Sequence, residues 1–284
     1  MTQPSDYLNV GCGNHYHPDW TNIDLVASGP AVRQYDLRRG LPYEPKQFDA
    51  VYHSHVLEHL APADAANMLR DCFRVLRPGG IVRVVVPNLE AIATAYLDSL
   101  NQADNGDEMD VANHQWMTFE LLDQMTRQRS GGQMMRVMQD PNQINRDFIR
   151  SRIGFEMDTP SKAKKTIRRR LSRLVRSTKK QLAIAAVTML QGKSGRDAYR
   201  EGYFRQAGEI HRWMYDRVSL ARVLREVGFE DAQVFPASES GIDGFDSFGL
   251  DRVGSSPRKP DSLYMEATRP RDEVASSVGS SRAA

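Results

Sequence analysis

The sequence predicts an α/β fold: a doubly wound, largely parallel sheet carrying a helical insertion between its fifth and sixth strands. Three observations predict it. Strand-like and helix-like segments alternate over residues 7–97; a polar, Met-rich stretch over 99–208 lacks strand signals; and sheet-like patterning then returns. The 284 residues suffice for one large domain with an insertion or for two modest ones. A content of 40% hydrophobic and 26% charged residues excludes wholesale disorder and a fibrous protein.

Each element has its own signal. Tyr7-Leu8-Asn9-Val10 is a strand stopped by the flexible turn Gly11-Cys12-Gly13, and residues 20–25 and 31–35 are a second and a weaker third. Residues 48–53 form the fourth, and the β-branched run 80–86 the fifth. Between these two a helix spans 62–76. Pro62 suits its first turn, and Met68, Leu69, Cys72, Phe73 and Leu76 recur as one apolar stripe, before Arg77-Pro78-Gly79-Gly80 ends it. The insertion reads as a helix near 116–128, a break at Gly131-Gly132 and further helices, with the five methionines of 117–138 packing them together. An amphipathic helix over 216–227 closes at Gly228, and 232–235 and 262–268 are the last strands. The expected domains are a cofactor-binding core (1–98), the insertion (99–207), the rest of the core sheet (208–270) and a disordered Ser/Ala-rich tail (271–284).

The net charge is only +2, yet 12 Lys/Arg and no acids fall within 159–196, so the remainder is acidic. Two cysteines, Cys12 and Cys72, cannot build a disulfide framework or a four-thiolate metal site, which favours a reduced, cytoplasmic setting. The N-terminus lacks the basic and apolar regions of a signal peptide. The longest apolar run, 182–190, is far short of the roughly 20 residues of a membrane span.

The first strand ends at Gly11-Cys12-Gly13-Asn14 and the second at Asp24, which in a doubly wound sheet lie side by side at the ligand-binding carboxyl edge. Glycines there let a ligand approach the backbone, and a carboxylate on the neighbouring strand can accept both hydroxyls of a ribose. The dinucleotide fingerprint fails, because Tyr16 replaces its third glycine and Asp24 comes too soon for a full first helix. A nucleoside without a pyrophosphate suits the loop better.

LNVGCG (8–13), NIDL (22–25), YDLRRGLPYEPKQFDAVYHSHVLEHL (35–60) and RVLRPGGIVRVVVPN (74–88) resemble the successive motifs of class I S-adenosylmethionine-dependent methyltransferases. They are most similar to the type 11 group, in particular to predicted enzymes of bacterial surface-polysaccharide gene clusters. The resemblance resumes over 208–229 and 261–270, and RSGGQM (129–134) resembles a feature of the polysaccharide-associated subgroup. It implies a Rossmann-like, seven-stranded methyltransferase sheet and S-adenosylmethionine as cofactor. By the same resemblance Asn9, Gly11, Cys12 and Gly13 would line the cofactor, the glycines against its methionine part. Asp24 would hold the ribose, Asp36 and Leu37 would flank the adenine, and His53 and Ser54 would face the cofactor from the other side.

Methyl transfer is an in-line displacement, so the protein mainly aligns the acceptor, which supplies roughly 7–11 kcal/mol. A hydroxyl acceptor must also lose a proton. Histidine suits that task, and His211 and His55 are the candidates, His211 being favoured. His55-Val-Leu-Glu58-His59 also reads as the H-x-x-E-H of an inverted zinc-protease motif. The same string follows strand four in methyltransferases, so zinc proteolysis is disfavoured and no metal ligand is assigned. A divalent ion assisting methyl transfer stays as the alternative, because some hydroxyl-methylating relatives carry acidic or His ligands in this stretch. The Asn-Pro-Pro-aromatic tetrapeptide that related methyltransferases of planar amino nitrogens carry after this strand is absent.

Residues 161–190 pattern as a basic amphipathic helix, with Ile167, Leu171, Leu174, Val175, Thr178 and Leu182 at spacings of three and four. Such a helix suits either an anionic membrane surface or a lid packed on the enzyme body. No aromatic residues interleave its charges, which disfavours RNA. The expected enzyme O-methylates a sugar hydroxyl of a surface polysaccharide or lipid-linked glycan, in the cytoplasm at the inner face of the membrane. Its rivals are a methyltransferase-like binding protein without turnover and an RNA-binding module using the basic arm.

Overall fold

The computed structural model describes residues 6–158 and 167–272. Its main sheet contains β1 (Tyr7–Val10), β2 (Thr21–Asp24), β3 (Val32–Gln34), β4 (Phe48–Ser54), β5 (Leu76–Pro87), β6 (Glu230–Phe235) and β9 (Ser262–Thr268). A small hairpin, β7 (Arg252–Val253) and β8 (Ser256–Pro257), precedes the last strand. The spatial order is β3-β2-β1-β4-β5-β9-β6, with β9 running antiparallel between β5 and β6 and the first five strands parallel. This is the seven-stranded, Rossmann-like sheet expected, with its helical insertion between the fifth and sixth strands.

One face is covered by α1 (Pro62–Val75) and α7 (Arg217–Val227). From α1 come Ala65, Met68, Leu69, Cys72 and Val75, and from α7 Leu220, Ala221 and Leu224, all buried on the inward side chains of the central strands. Asp216 caps α7, its carboxylate accepting from the Val218 and Ser219 amides at 2.8 Å each, and Gly228 ends it in the left-handed region that costs glycine nothing.

The opposite face departs from the expectation that helices cover both sides. Residues 11–20 join β1 to β2 without a helix, because a helical crossover needs about a dozen residues or more. Residues 236–258 cover this face instead, and Ala237, Ile242, Phe245 and Leu250 pack against Trp20, Tyr52, Val85 and Tyr264. A buried ion network fastens the cover. Arg83 of β5 is fully buried, its Nε 2.7 Å from Asp251 and its Nη1 2.6 Å from Glu266, while Tyr52 donates to Asp251 at 2.6 Å.

After β5 comes α2 (Leu89–Ala103), whose cap Asn88 accepts from the Ala91 amide. α3 spans Glu108–Thr126, beginning eight residues before the expected start because Asp107 caps a polar turn that carries no apolar stripe. With α4 (Gly132–Met138) and α5 (Arg146–Ile153) these helices bury Trp116, Met117, Met134, Ile149 and Ile153, with Met125 and Met138 packed against them, so all of the five methionines but Met135 join this cluster. α6 (Ile167–Arg205) follows, with a non-helical break at Gly192. The expected basic helix falls partly on residues 159–166, and the expected disordered tail mostly on 273–284; both stretches lie outside the described residues.

Candidate active site at the carboxyl edge of the sheet

The two strand ends meet as predicted. The Gly11 and Cys12 amides donate to the Ile23 carbonyl at 2.8 and 3.2 Å, which lays the hairpin along β2. The Gly13 amide then donates to Asp24 Oδ2 at 2.9 Å, and the Val26 amide to Oδ1 at 2.8 Å. Both glycines adopt positive φ, for different reasons. A Cβ on Gly11 would lie 2.5 Å from the Val56 side chain, whereas one on Gly13 would meet open space. Gly11 is therefore a packing requirement between two turns, and Gly13 is the one with room above it for a ligand.

Asn9 is fully buried and braces the loop, its amide donating to the His15 carbonyl and to Asn22 Oδ1, both at 3.2 Å. The Cys12 thiol is buried and pushed up to about 12, mainly by burial and then by Asp24, so it is not a nucleophile. Asp36 caps the 3-10 turn at Leu37–Arg39; the hydrogen bond from Arg38 holds its carboxyl down at about 2. Ser54 ends β4, half-buried. His53 is wholly buried with neither ring nitrogen hydrogen-bonded, and burial pulls it down to about 4. It is thus a neutral interior side chain without an exposed surface at the hairpin.

These residues fit the nucleoside end of S-adenosylmethionine. A carboxylate has about four acceptor positions, and the two backbone donors leave Asp24 two for ribose hydroxyls. With no helix after β1, no amino-terminal helix dipole faces the cofactor's amino-acid end.

Beyond the end of β4 the chain turns sharply at His55, a non-glycine residue at φ 55°. The 3-10 turn Leu57–His59 follows, so the H-x-x-E-H string lies on a tight turn and not on an α-helix. Glu58 is fully buried there. His55 Nδ1 lies 3.0 Å from Glu58 Oε1, and His55 Nε2 lies 2.9 Å from Ser262 Oγ at the start of β9. Burial alone would raise the Glu58 carboxyl; the surrounding His55, His59 and His211 outweigh it and hold the group at about 2. The Glu58 carbonyl accepts the Arg212 and Trp213 amides, and the His211 amide donates to the Gln124 carbonyl of α3. Segments far apart in sequence thereby place His211, only 4% exposed, edge-on to His59 with ring centroids 4.9 Å apart.

Both predicted histidines thus reach one cavity of about 380 Å³, lined almost wholly by polar groups. They differ in state. Burial pulls His211 down to about 3, so it is neutral and weakly basic at pH 7. Sequence reasoning missed other residues of this wall, among them Glu156, Lys259 and Asp261. Glu156 and Lys259 form an ion pair. Asp261 is nearly buried, its Oδ1 has no hydrogen-bond partner, and burial pushes its carboxyl up to about 6. Asp261 opens the resembling segment 261–270, but nothing local marks it as a site residue; the fold brings it to the cavity.

The Gly131-Gly132 turn is tied to Glu209 of the cavity wall. Arg127 donates to the Glu209 carbonyl at 2.6 Å, and the Gly131 amide to Glu209 Oε1 at 2.8 Å. A Cβ on Gly132, at φ 57°, would collide with the buried Asp123 carboxylate, whose Oδ1 accepts the Gln133 amide.

Residues 20–84 match a family model described as a methyltransferase domain. A probable S-adenosylmethionine-dependent methyltransferase of Mycolicibacterium smegmatis is 35% identical over 103 residues, 29% of this chain and 38% of that protein. The chain therefore covers well under half the length of this relative. Among solved structures, a SAM-dependent methyltransferase from Archaeoglobus fulgidus superposes with a TM-score of 0.38 at 12% identity, over 93% of this chain and 86% of that one. The CurJ carbon methyltransferase gives 0.39 at 11% identity, over 95% and 50%. Such scores carry no weight alone; the strand order defines the fold. Together with the matched segment and the relative, it supports a Rossmann-like methyltransferase fold for the core and implies S-adenosylmethionine as its cofactor.

Proposed function

We propose that the protein is a methyltransferase that O-methylates a sugar hydroxyl of a surface polysaccharide or lipid-linked glycan. The observation that carries this reading is the polar cavity beside the end of β4. Its histidine, carboxylate, amide and cationic groups match an acceptor rich in hydroxyls and offer no apolar slot for an aromatic one. Bound S-adenosylmethionine would supply the sulfonium methyl and, with it, a good leaving group. The chain's own tasks are to hold the acceptor in line and to receive its proton.

For the second task Asp261 is better placed in strength than the predicted His211, because a base works best with a pKa near the working pH. His55, fixed between Glu58 and Ser262, orients the wall. A place at the inner membrane face is part of the proposal. α6 presents Leu182, Met189 and Leu190 at 67, 89 and 84% exposure, close after the basic stretch, an arrangement that favours a lipid surface over RNA. No helix among the described residues is long and apolar enough to cross a membrane.

The test is incubation of the protein and labelled S-adenosylmethionine with lipid-linked glycan, RNA and small-molecule fractions of a bacterial host. Label entering the glycan fraction and lost on mild glycan degradation supports the reading. Label confined to RNA, or absent although the cofactor binds, overturns it.

A further inference from the structure

We propose that Glu58, His59 and His211 bind a divalent transition-metal ion of the zinc class at the mouth of this cavity. One potential ligand atom from each lies within 4.8 Å of the other two. Around an ion with bonds of about 2.1 Å such atoms sit about 3.4 Å apart, so rotations of about an ångström close the set. Two histidines and one carboxylate, with remaining positions open to the cavity, is a donor set of catalytic zinc sites.

The surroundings of each donor point the same way. His59 Nδ1 lies 3.1 Å from the Ile210 carbonyl, which can only accept; that nitrogen therefore carries the proton and Nε2 keeps its lone pair. Glu58 is tied through Oε1 to His55, and its Oε2 is buried with no hydrogen-bond partner. His211 Nδ1 is likewise buried and unpartnered. Buried polar atoms are almost always satisfied, so orphaned atoms on two residues of this cluster, from distant segments and beside a ring held in its ligand tautomer, point to a missing common partner. The His55–Glu58 ion pair and the His59–carbonyl hydrogen bond are outer contacts of the kind metal ligands ordinarily have.

Metal binding itself does not rest on the methyl-transfer reading. On that reading the ion would take the acceptor oxygen into an open position and make its hydroxyl easier to deprotonate. The experiment uses full-length protein stripped with chelator and titrated with Co²⁺ under a visible spectrometer. One equivalent should bind, with the d–d absorption of a low-coordinate nitrogen–oxygen site, and Zn²⁺ should bleach it. His59→Gln and His211→Gln should each weaken cobalt binding by at least about 100-fold, since even outer-shell changes cost about 10–100-fold. His114→Gln, outside the cluster, should not. Calorimetric binding of S-adenosylhomocysteine reports that each variant is folded. No saturable band, or equal affinity in folded His59→Gln and His211→Gln, overturns the proposal. Cobalt binding without methyl transfer would overturn only the activity, so the two failures are distinct.

Discussion

Asp24 pins the Gly13 and Val26 amides with one carboxylate, and in the proposed cofactor site its two remaining acceptor positions would meet a ribose. Asp24→Asn retains the shape but turns one acceptor into a donor. Hydrogen bonds to charged groups contribute about 1.5–3 kcal/mol, so S-adenosylhomocysteine should bind about 10–100-fold more weakly by calorimetry. Unchanged affinity would remove Asp24 from the cofactor site. Asp261 makes a separate prediction. Its carboxyl is raised from 3.8 to about 6, mainly by burial, so the folded state holds its proton more tightly than the unfolded chain. The stability this confers is complete below about pH 3.8 and is lost as pH rises through about 6. Asp261→Asn should therefore be more stable than the parent at pH 8, by at most about 3 kcal/mol in urea unfolding, and the two should converge at acid pH. In turnover assays the same variant should lose a rising limb near pH 6, provided Asp261 takes the proton. Asp24 was legible because a strand end announces itself in sequence. Asp261 was not, because burial by distant segments leaves no local trace.

At the level of elements, the strands and the helices α1 and α7 could be read directly, since alternation and apolar stripes record which side of each faces the core. Three things could not. The start of α3 is set by a cap under polar residues; the cover over 236–258 is irregular; and Arg83 sits in a strand otherwise composed for burial. Arg83→Met would strand Asp251 and Glu266 as uncompensated buried acids, and a loss of about 3–5 kcal/mol in urea unfolding is expected. A loss under 1 kcal/mol would mean that water reaches the network. Gly132→Ala meets both a positive φ and the Asp123 carboxylate, so it should lower the melting temperature and loosen the α3–α4 turn. Gly106→Ala, strained in φ but in open space, isolates the conformational part of that cost.

For the whole molecule, the proposed membrane contact predicts sedimentation with anionic vesicles and not with neutral ones, weakening as salt rises. Serine at Leu182, Met189 and Leu190 together should reduce binding at least about tenfold, because each apolar side chain buried in lipid contributes about 1.5–3 kcal/mol. Indifference to lipid charge would instead leave α6 as a solvated lid. The insertion's role was less legible than the sheet's, because a helix polar on most sides records no partner in its sequence.

The way the sheet is completed bears on how such a chain is made. β5 has β9 as its outer neighbour, and one whole side of the parallel strands is sealed by residues 236–258. A nascent polypeptide that has delivered only the family-matched segment 20–84 holds strands with a naked edge and a bare apolar surface. It must wait on the ribosome for nearly two hundred more residues before either is closed. Long-range closure of this kind is slow and invites aggregation. Expression of the amino-terminal third by itself should give insoluble material, and ribosome-bound intermediates should remain open to protease until the last strand has emerged.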